Sequence, residues 1–89
     1  MNERERIERL LAEVLGLCYE ISTNSKADCF FSYSPHVNNF DVQVFEFGWA
    51  VGAKGEWYAF GQEVNQDNLM DAADKLYALR AKLGGGLRW

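Results

Sequence analysis

The apolar residues of this chain change their spacing twice, and that change limits the folds open to it. They first fall at Ile7, Leu10, Leu11, Val14, Leu17, Cys18 and Ile21, the three-and-four spacing that keeps one stripe on an α-helix. Between Asp28 and Gly61 aromatic and β-branched residues alternate with polar ones instead, most plainly where Asp41 and Gln43 separate Phe40, Val42 and Val44. The helical spacing returns at Leu69, Ala72, Ala73, Leu76, Leu79 and Leu83, with Met70 and Tyr77 widening the apolar face. Each stripe and each alternating segment needs a partner layer. The expectation is therefore an α+β fold in the order α-β-β-β-α: a two-layer sandwich in which a three-stranded antiparallel meander carries both helices on one face.

Local signals place the boundaries. The first helix should end within Ser22-Thr23-Asn24-Ser25, whose short polar side chains compete for backbone hydrogen bonds. Its outer faces hold Arg4 with Glu8, Glu5 with Arg9 and Arg9 with Glu13, which read as solvated pairs. Strand one covers residues 28–34 and stops at Pro35, which cannot donate to a ladder. Strand two begins at Phe40 after a turn-rich connection. At Val44-Phe45 its phase slips, and the apolar positions continue as Phe45, Phe47 and Trp49. A slip of one residue sends side chains to the other face, so either a bulge re-aims them inward or the second face of the sheet is covered as well. Residues 52–56 supply a glycine-bearing hairpin loop, and residues 57–61 read as strand three. Asn65, Asp67 or Asn68 can cap the second helix, Asn68 with Asp71 as a variant capping box. Gly84-Gly85-Gly86 ends it through a left-handed C-cap. The organisation expected is one domain over residues 1–83 and a glycine-rich tail over residues 84–89.

Composition matters here through the aromatics. The six Phe, four Tyr and three Trp among 89 residues exceed what one small core should hide. If Phe40, Val42 and Val44 point at the helices, then Phe30, Phe45, Phe47 and Trp57 are candidates for the uncovered face, an apolar patch of the kind that marks an interface. Trp49 continues that series. The tail residues Gly84-Gly85-Gly86-Leu87-Arg88-Trp89 read either as an interaction tag, with Trp89 as its anchor, or as a segment that folds back on its own domain.

Charge narrows the partner classes. The formal net charge of −4 is uneven: residues 1–19 carry −1, residues 20–67 carry −5 and residues 68–89 carry +2. Asp41, Glu46, Glu56 and Glu63 are the acidic candidates around the sheet. They read as a solubilised surface, or as an acidic one that meets a basic protein or mimics nucleic-acid charge. Direct nucleic-acid binding is excluded, because phosphate recognition needs clustered Lys and Arg. The element order is shared with double-stranded-RNA-binding domains, but their basic cluster at the start of the last helix is replaced by Val64-Asn65-Gln66-Asp67-Asn68-Leu69-Met70-Asp71. No apolar run approaches the ~18 residues of a membrane span, and the opening MNERERIER has no leader character, so a cytoplasmic chain without a membrane partner is expected.

Chemistry-bearing groups are few. Cys18 and Cys29 sit within apolar patterns and are expected as reduced thiols, and with His36 they lack metal-ligand spacing. Ser34, His36 and Asp41 can be drawn as a nucleophile, base and orienting acid, but a turn histidine bonded to its own loop is the ordinary reading. Neither a nucleophile elbow nor a phosphate loop is present, and the acids are dispersed. The expectation is a non-enzyme with no catalytic residues, no metal and no cofactor.

The stretch Phe31-Ser32-Tyr33-Ser34-Pro35-His36-Val37-Asn38-Asn39-Phe40-Asp41-Val42-Gln43-Val44-Phe45-Glu46-Phe47-Gly48-Trp49 resembles segments of small uncharacterised proteins encoded by bacteriophages and prophages. The resemblance implies origin, and with it a host-cell cytoplasm. Phage proteins of this size and element order include inhibitors of host defence, acidic anti-CRISPR proteins among them, which is an analogy of size, charge and topology. The leading expectation is a non-enzymatic module that uses an aromatic sheet face to bind a protein partner or to self-associate, a homodimer included. The alternatives are an acidic inhibitor of a host nucleic-acid enzyme and a structural protein with no separate site.

Overall fold

The computed structural model describes residues 1–84; the expectations placed on Gly85, Gly86 and Trp89 lie outside the described residues. Five elements follow in the order helix, three strands, helix. Helix α1 spans Glu3–Asn24 and opens on a capping box in which Asn2 Oδ1 accepts the Glu5 N–H and Glu5 reaches back to the Asn2 N–H. It closes on its polar cluster. Thr23 Oγ1 donates to the Tyr19 carbonyl, Asn24 Nδ2 to that of Glu20 and Ser25 Oγ to that of Ile21, so three carbonyls of the last turns find side-chain donors.

Strands β1 (Asp28–Ser34), β2 (Asn39–Phe45) and β3 (Glu56–Glu63) form one antiparallel sheet in the order β1-β2-β3. Helix α2 covers Gln66–Leu83. Of its three candidate caps Asn65 serves, its side chain accepting the Asn68 N–H at 2.8 Å. Gly84 is right-handed, with φ −55° and ψ −31°, so the left-handed C-cap expected of the glycine run is not at this residue.

The core follows from the two periodicities. Val14, Leu17, Cys18 and Ile21 of α1 and Leu69, Ala72, Ala73, Leu76 and Leu79 of α2 are buried together with Phe40, Val42 and Val44 of β2. The register sets Cys29, Phe31 and Tyr33 beside Val44, Val42 and Phe40, which gives β1 its inner side chains by alternation. The Phe31 and Phe40 rings stack at 6.2 Å.

The phase slip has a different origin from either one expected. β2 does not continue through Phe47 and Trp49: it stops at Phe45, where the Gly48 N–H donates back to the Phe45 carbonyl at 3.0 Å and Gly48 takes φ +96°. Such a turn suits glycine, whose missing Cβ removes the left-handed penalty. The connection to β3 therefore runs over residues 46–55, longer than the hairpin expected at residues 52–56. Asp28 Oδ2 pins it by accepting the Trp49 N–H at 2.7 Å. The irregularity lies on β3 instead. Phe40, Val42 and Gln43 face Gln62, Ala59 and Trp57, so β3 fits one additional residue into each of two steps.

Candidate functional site

The face of the sheet turned away from the helices carries the alternate residues: Phe30 and Ser32 from β1, and Asp41, Gln43 and Phe45 from β2. On β3 the irregularities decide which aromatics join them. Trp57 stands opposite Gln43, and two residues, Tyr58 and Ala59, then follow against Val42. Both of these pack on the core, so the next residue, Phe60, emerges on the same side as Trp57. Their ring centroids lie 4.7 Å apart. Phe30, Trp57 and Phe60 are all exposed, and the side chains between them are uncharged apart from Asp41.

Phe60 was not among the sequence-level candidates. The signal was available in Gly61: a glycine next to an aromatic inside a strand pattern marks a bulge. Gly61 has φ +58°, and its N–H donates to Asp41 Oδ1 at 2.6 Å, which fixes the irregular step.

The other candidates separate. Phe45 lies on the open face but is only 7% exposed. Phe30 meets it edge-on at 5.6 Å, and Gly55 lies over it so closely that a Cβ there would stand 2.7 Å from the ring. It supports the patch from below and offers little surface. Phe47 and Trp49 are exposed on the 46–55 connection rather than on a strand, with Lys26 Nζ 5.3 Å from the Phe47 ring centre. Trp89 lies outside the described residues.

Of the four acidic candidates only Glu46 and Glu56 come together. Asp41 serves Gly61; Glu46 accepts Lys82 Nζ from α2 at 3.0 Å; Glu63 accepts Asn65 Nδ2 at 3.2 Å, beside the start of α2. Glu56 shares with Glu46 a cleft between β3 and α2 that Lys75 and Lys82 also line. Such exposed pairs add little stability.

Elsewhere, His36 is exposed on the β1–β2 turn, and the Asp41 carboxylate that the triad drawing needs is engaged by Gly61. The thiols of Cys18 and Cys29 are free and act on one another's titration. The neighbouring Cys18 thiol holds Cys29 below the ordinary thiol range, with Ser22 helping and burial opposing; the same interaction, with burial, pushes Cys18 up. Among the described residues no group of three or more His, Cys, Asp or Glu could hold a metal ion, and no helix is long and apolar enough to cross a membrane. No family model, curated protein or solved structure matches the chain.

Proposed function

We propose that the chain is a non-enzymatic protein-binding module, and that its contact surface is the open sheet face bearing Phe30, Trp57 and Phe60. The observation that carries this reading is the placement of three exposed rings on the one side of the sheet that the helices leave bare, over a buried Phe45 that holds Phe30 upright. Aromatic side chains supply large contact area at small entropic cost, and they are the residues on which interfaces concentrate binding energy. The partner that fits is a protein presenting an uncharged apolar surface. Electrostatic mimicry of nucleic acid draws no support from these acids, since Asp41, Glu46 and Glu63 are bonded within the fold and Glu46 and Glu56 share their cleft with Lys75 and Lys82. The phage resemblance of residues 31–49 fits a host protein in that role.

The test replaces Phe60 by a photoreactive phenylalanine analogue and, in a second version, places the same group at exposed Asp74 on α2. Cross-linking in cells should join a discrete partner at position 60 and not at 74, and Trp57→Ser should abolish the adduct while leaving the circular dichroism spectrum intact. Equal labelling from both positions, or an adduct indifferent to Trp57→Ser, would sink the reading.

A further inference from the structure

A second surface, separate from the aromatic face, is the outer edge of β1. The two edges of the sheet are unlike. β3 is interrupted by two register shifts, the irregularity by which edge strands commonly avoid pairing. β1 is a regular seven-residue strand, Asp-Cys-Phe-Phe-Ser-Tyr-Ser, with no proline, lysine or bulge. Its backbone groups can be assigned by parity. The Val64 N–H donates to the Asn38 carbonyl on the β3 side, so even-numbered residues of β2 face β3 and odd-numbered ones face β1. Residues 28, 30, 32 and 34 of β1 therefore bond to β2, and residues 29, 31 and 33 point outward. The Cys29 N–H confirms the parity, because it donates outward to Ser22 Oγ at 3.0 Å. Phe31 and Tyr33 are left presenting an N–H and a carbonyl each, with no partner among the described residues.

These four groups are self-complementary. Two β1 strands placed antiparallel about a two-fold axis at Ser32 set Phe31 against Tyr33 of the second copy twice over, making four hydrogen bonds. One step outward, Cys29 meets Pro35, and there the ladder ends: Pro35 has no N–H to give, and the N–H of Cys29 is already used.

Helix α1 carries an apolar flank at the same border. Its Glu13 and Glu20 accept from Tyr77 and Arg80 of α2, so that side of α1 faces α2. Leu11, Leu15, Tyr19 and Ser22 recur at three- and four-residue spacing on the opposite side, and Ser22 is the residue that reaches the β1 edge. Leu15 is 53% exposed and Tyr19 71% exposed. An unsatisfied strand edge and an exposed apolar helix flank thus lie next to each other. The two-fold that pairs β1 with β1 brings the two flanks together over the junction.

We propose that a second copy of this chain occupies this edge, giving a two-fold dimer with a continuous six-stranded sheet centred on Ser32 and roofed at the seam by Leu11, Leu15 and Tyr19. The open faces of the two copies then adjoin, but the proposal does not depend on what those faces bind.

Sedimentation equilibrium of the intact chain from micromolar to millimolar concentration should show a monomer–dimer equilibrium. Ser32→Lys sets two like charges opposite each other at the axis, on a side chain exposed in the monomer, and should weaken the dimer on the order of tenfold. Leu15→Lys should weaken it by a similar factor. Ser32→Cys should form an intermolecular bridge between the two copies under oxidised glutathione, mapped by peptide mass spectrometry, because directly opposed residues of a non-hydrogen-bonded antiparallel pair bring their Cβ atoms within disulfide range. A monomer at every concentration overturns the proposal. So does a dimer that survives Ser32→Lys and Leu15→Lys but is lost in Phe60→Asp, since that result moves self-association to the aromatic face.

Discussion

The Trp57 and Phe60 rings meet at 4.7 Å, tilted by 58°, although they stand three positions apart on one strand, a spacing that regular alternation would send to opposite faces. The contact exists because Tyr58 and Ala59 both turn toward the helices, and Gly61, at φ +58°, takes up the second irregular step with its N–H on Asp41. Gly61→Ala should destabilise the fold by about 1–2 kcal/mol, the penalty of a Cβ in the left-handed region. Asp41→Ala should cost about 1 kcal/mol by removing the bond to that N–H. Urea titrations of the two single variants and the double should give less than the sum, because both act on one step.

Gly55 is required for a different reason, since a Cβ there would lie 2.7 Å from both the Phe45 ring and Gln43 Nε2. Gly55→Ala is expected to cost about 1–3 kcal/mol through overpacking. Phe45→Leu in the same background should recover part of that loss in chemical denaturation, whereas a cost set by backbone conformation would leave it unrecovered.

The two faces of the sheet differ in what an aromatic ring contributes. Phe40, fully buried in the core and stacked on Phe31, should cost about 3–5 kcal/mol when replaced by Ala. Phe60→Ala on the open face should fall within about 0.5 kcal/mol of the parent. Equal losses would show that the open face supports the fold rather than standing free of it.

The contrast between those faces also separates what was legible in the sequence from what was not. The stripe from Ile7 to Ile21 and the alternation of Phe40, Val42 and Val44 each report a local period, and the element order, β1 with its stop at Pro35, and the inner face of β2 could all be read from them. Phe47 and Trp49 kept the period of two by coincidence across the Gly48 turn, so a strand was expected where a loop runs. Phe45 was legible as a ring on the far face but not as a covered one, because its cover comes from Gly55, ten residues along. Phe60 was missed because its direction depends on two register shifts against β2: Gly61 marks one of them in the sequence, but nothing in Tyr58-Ala59 marks the other.

The cysteine pair gives a reactivity prediction. Cys29 is partly exposed, and its thiol is held low by the neighbouring Cys18 thiol, whereas Cys18 is buried and pushed up. Iodoacetamide at neutral pH should label Cys29 first, since the thiolate is the nucleophile, and Cys18 only on the timescale of unfolding. Cys18→Ala should slow Cys29 labelling by raising its thiol back toward the ordinary range. Peptide mapping against time decides it.

Alkaline stability follows from the tyrosines. Burial lifts the Tyr58 hydroxyl above its usual value, with the Glu56 charge adding to it, and the bond to Glu13 lifts Tyr77. The unfolded chain releases these protons near the ordinary pH of about 10, while the folded chain still holds them. Stability from this source is thus complete below that pH and is lost as pH rises through the higher folded values. The urea midpoint should fall across that window in the parent and fall less steeply in Tyr58→Phe and Tyr77→Phe.

The two irregular steps in β3 also bear on how the chain tolerates changes of length. From Phe40 to Val44 β2 advances four positions, while β3 spends six between Gln62 and Glu56 on the same stretch of ladder. A single deletion in β3 can be absorbed by closing one bulge, with the ends of the strand still pairing as before. The same deletion in β1 or β2 has no slack to consume: it slips the register and sends every side chain beyond it to the wrong layer. Insertions and deletions that preserve the fold are therefore expected on the third strand and in residues 46–55, and not on the first two strands.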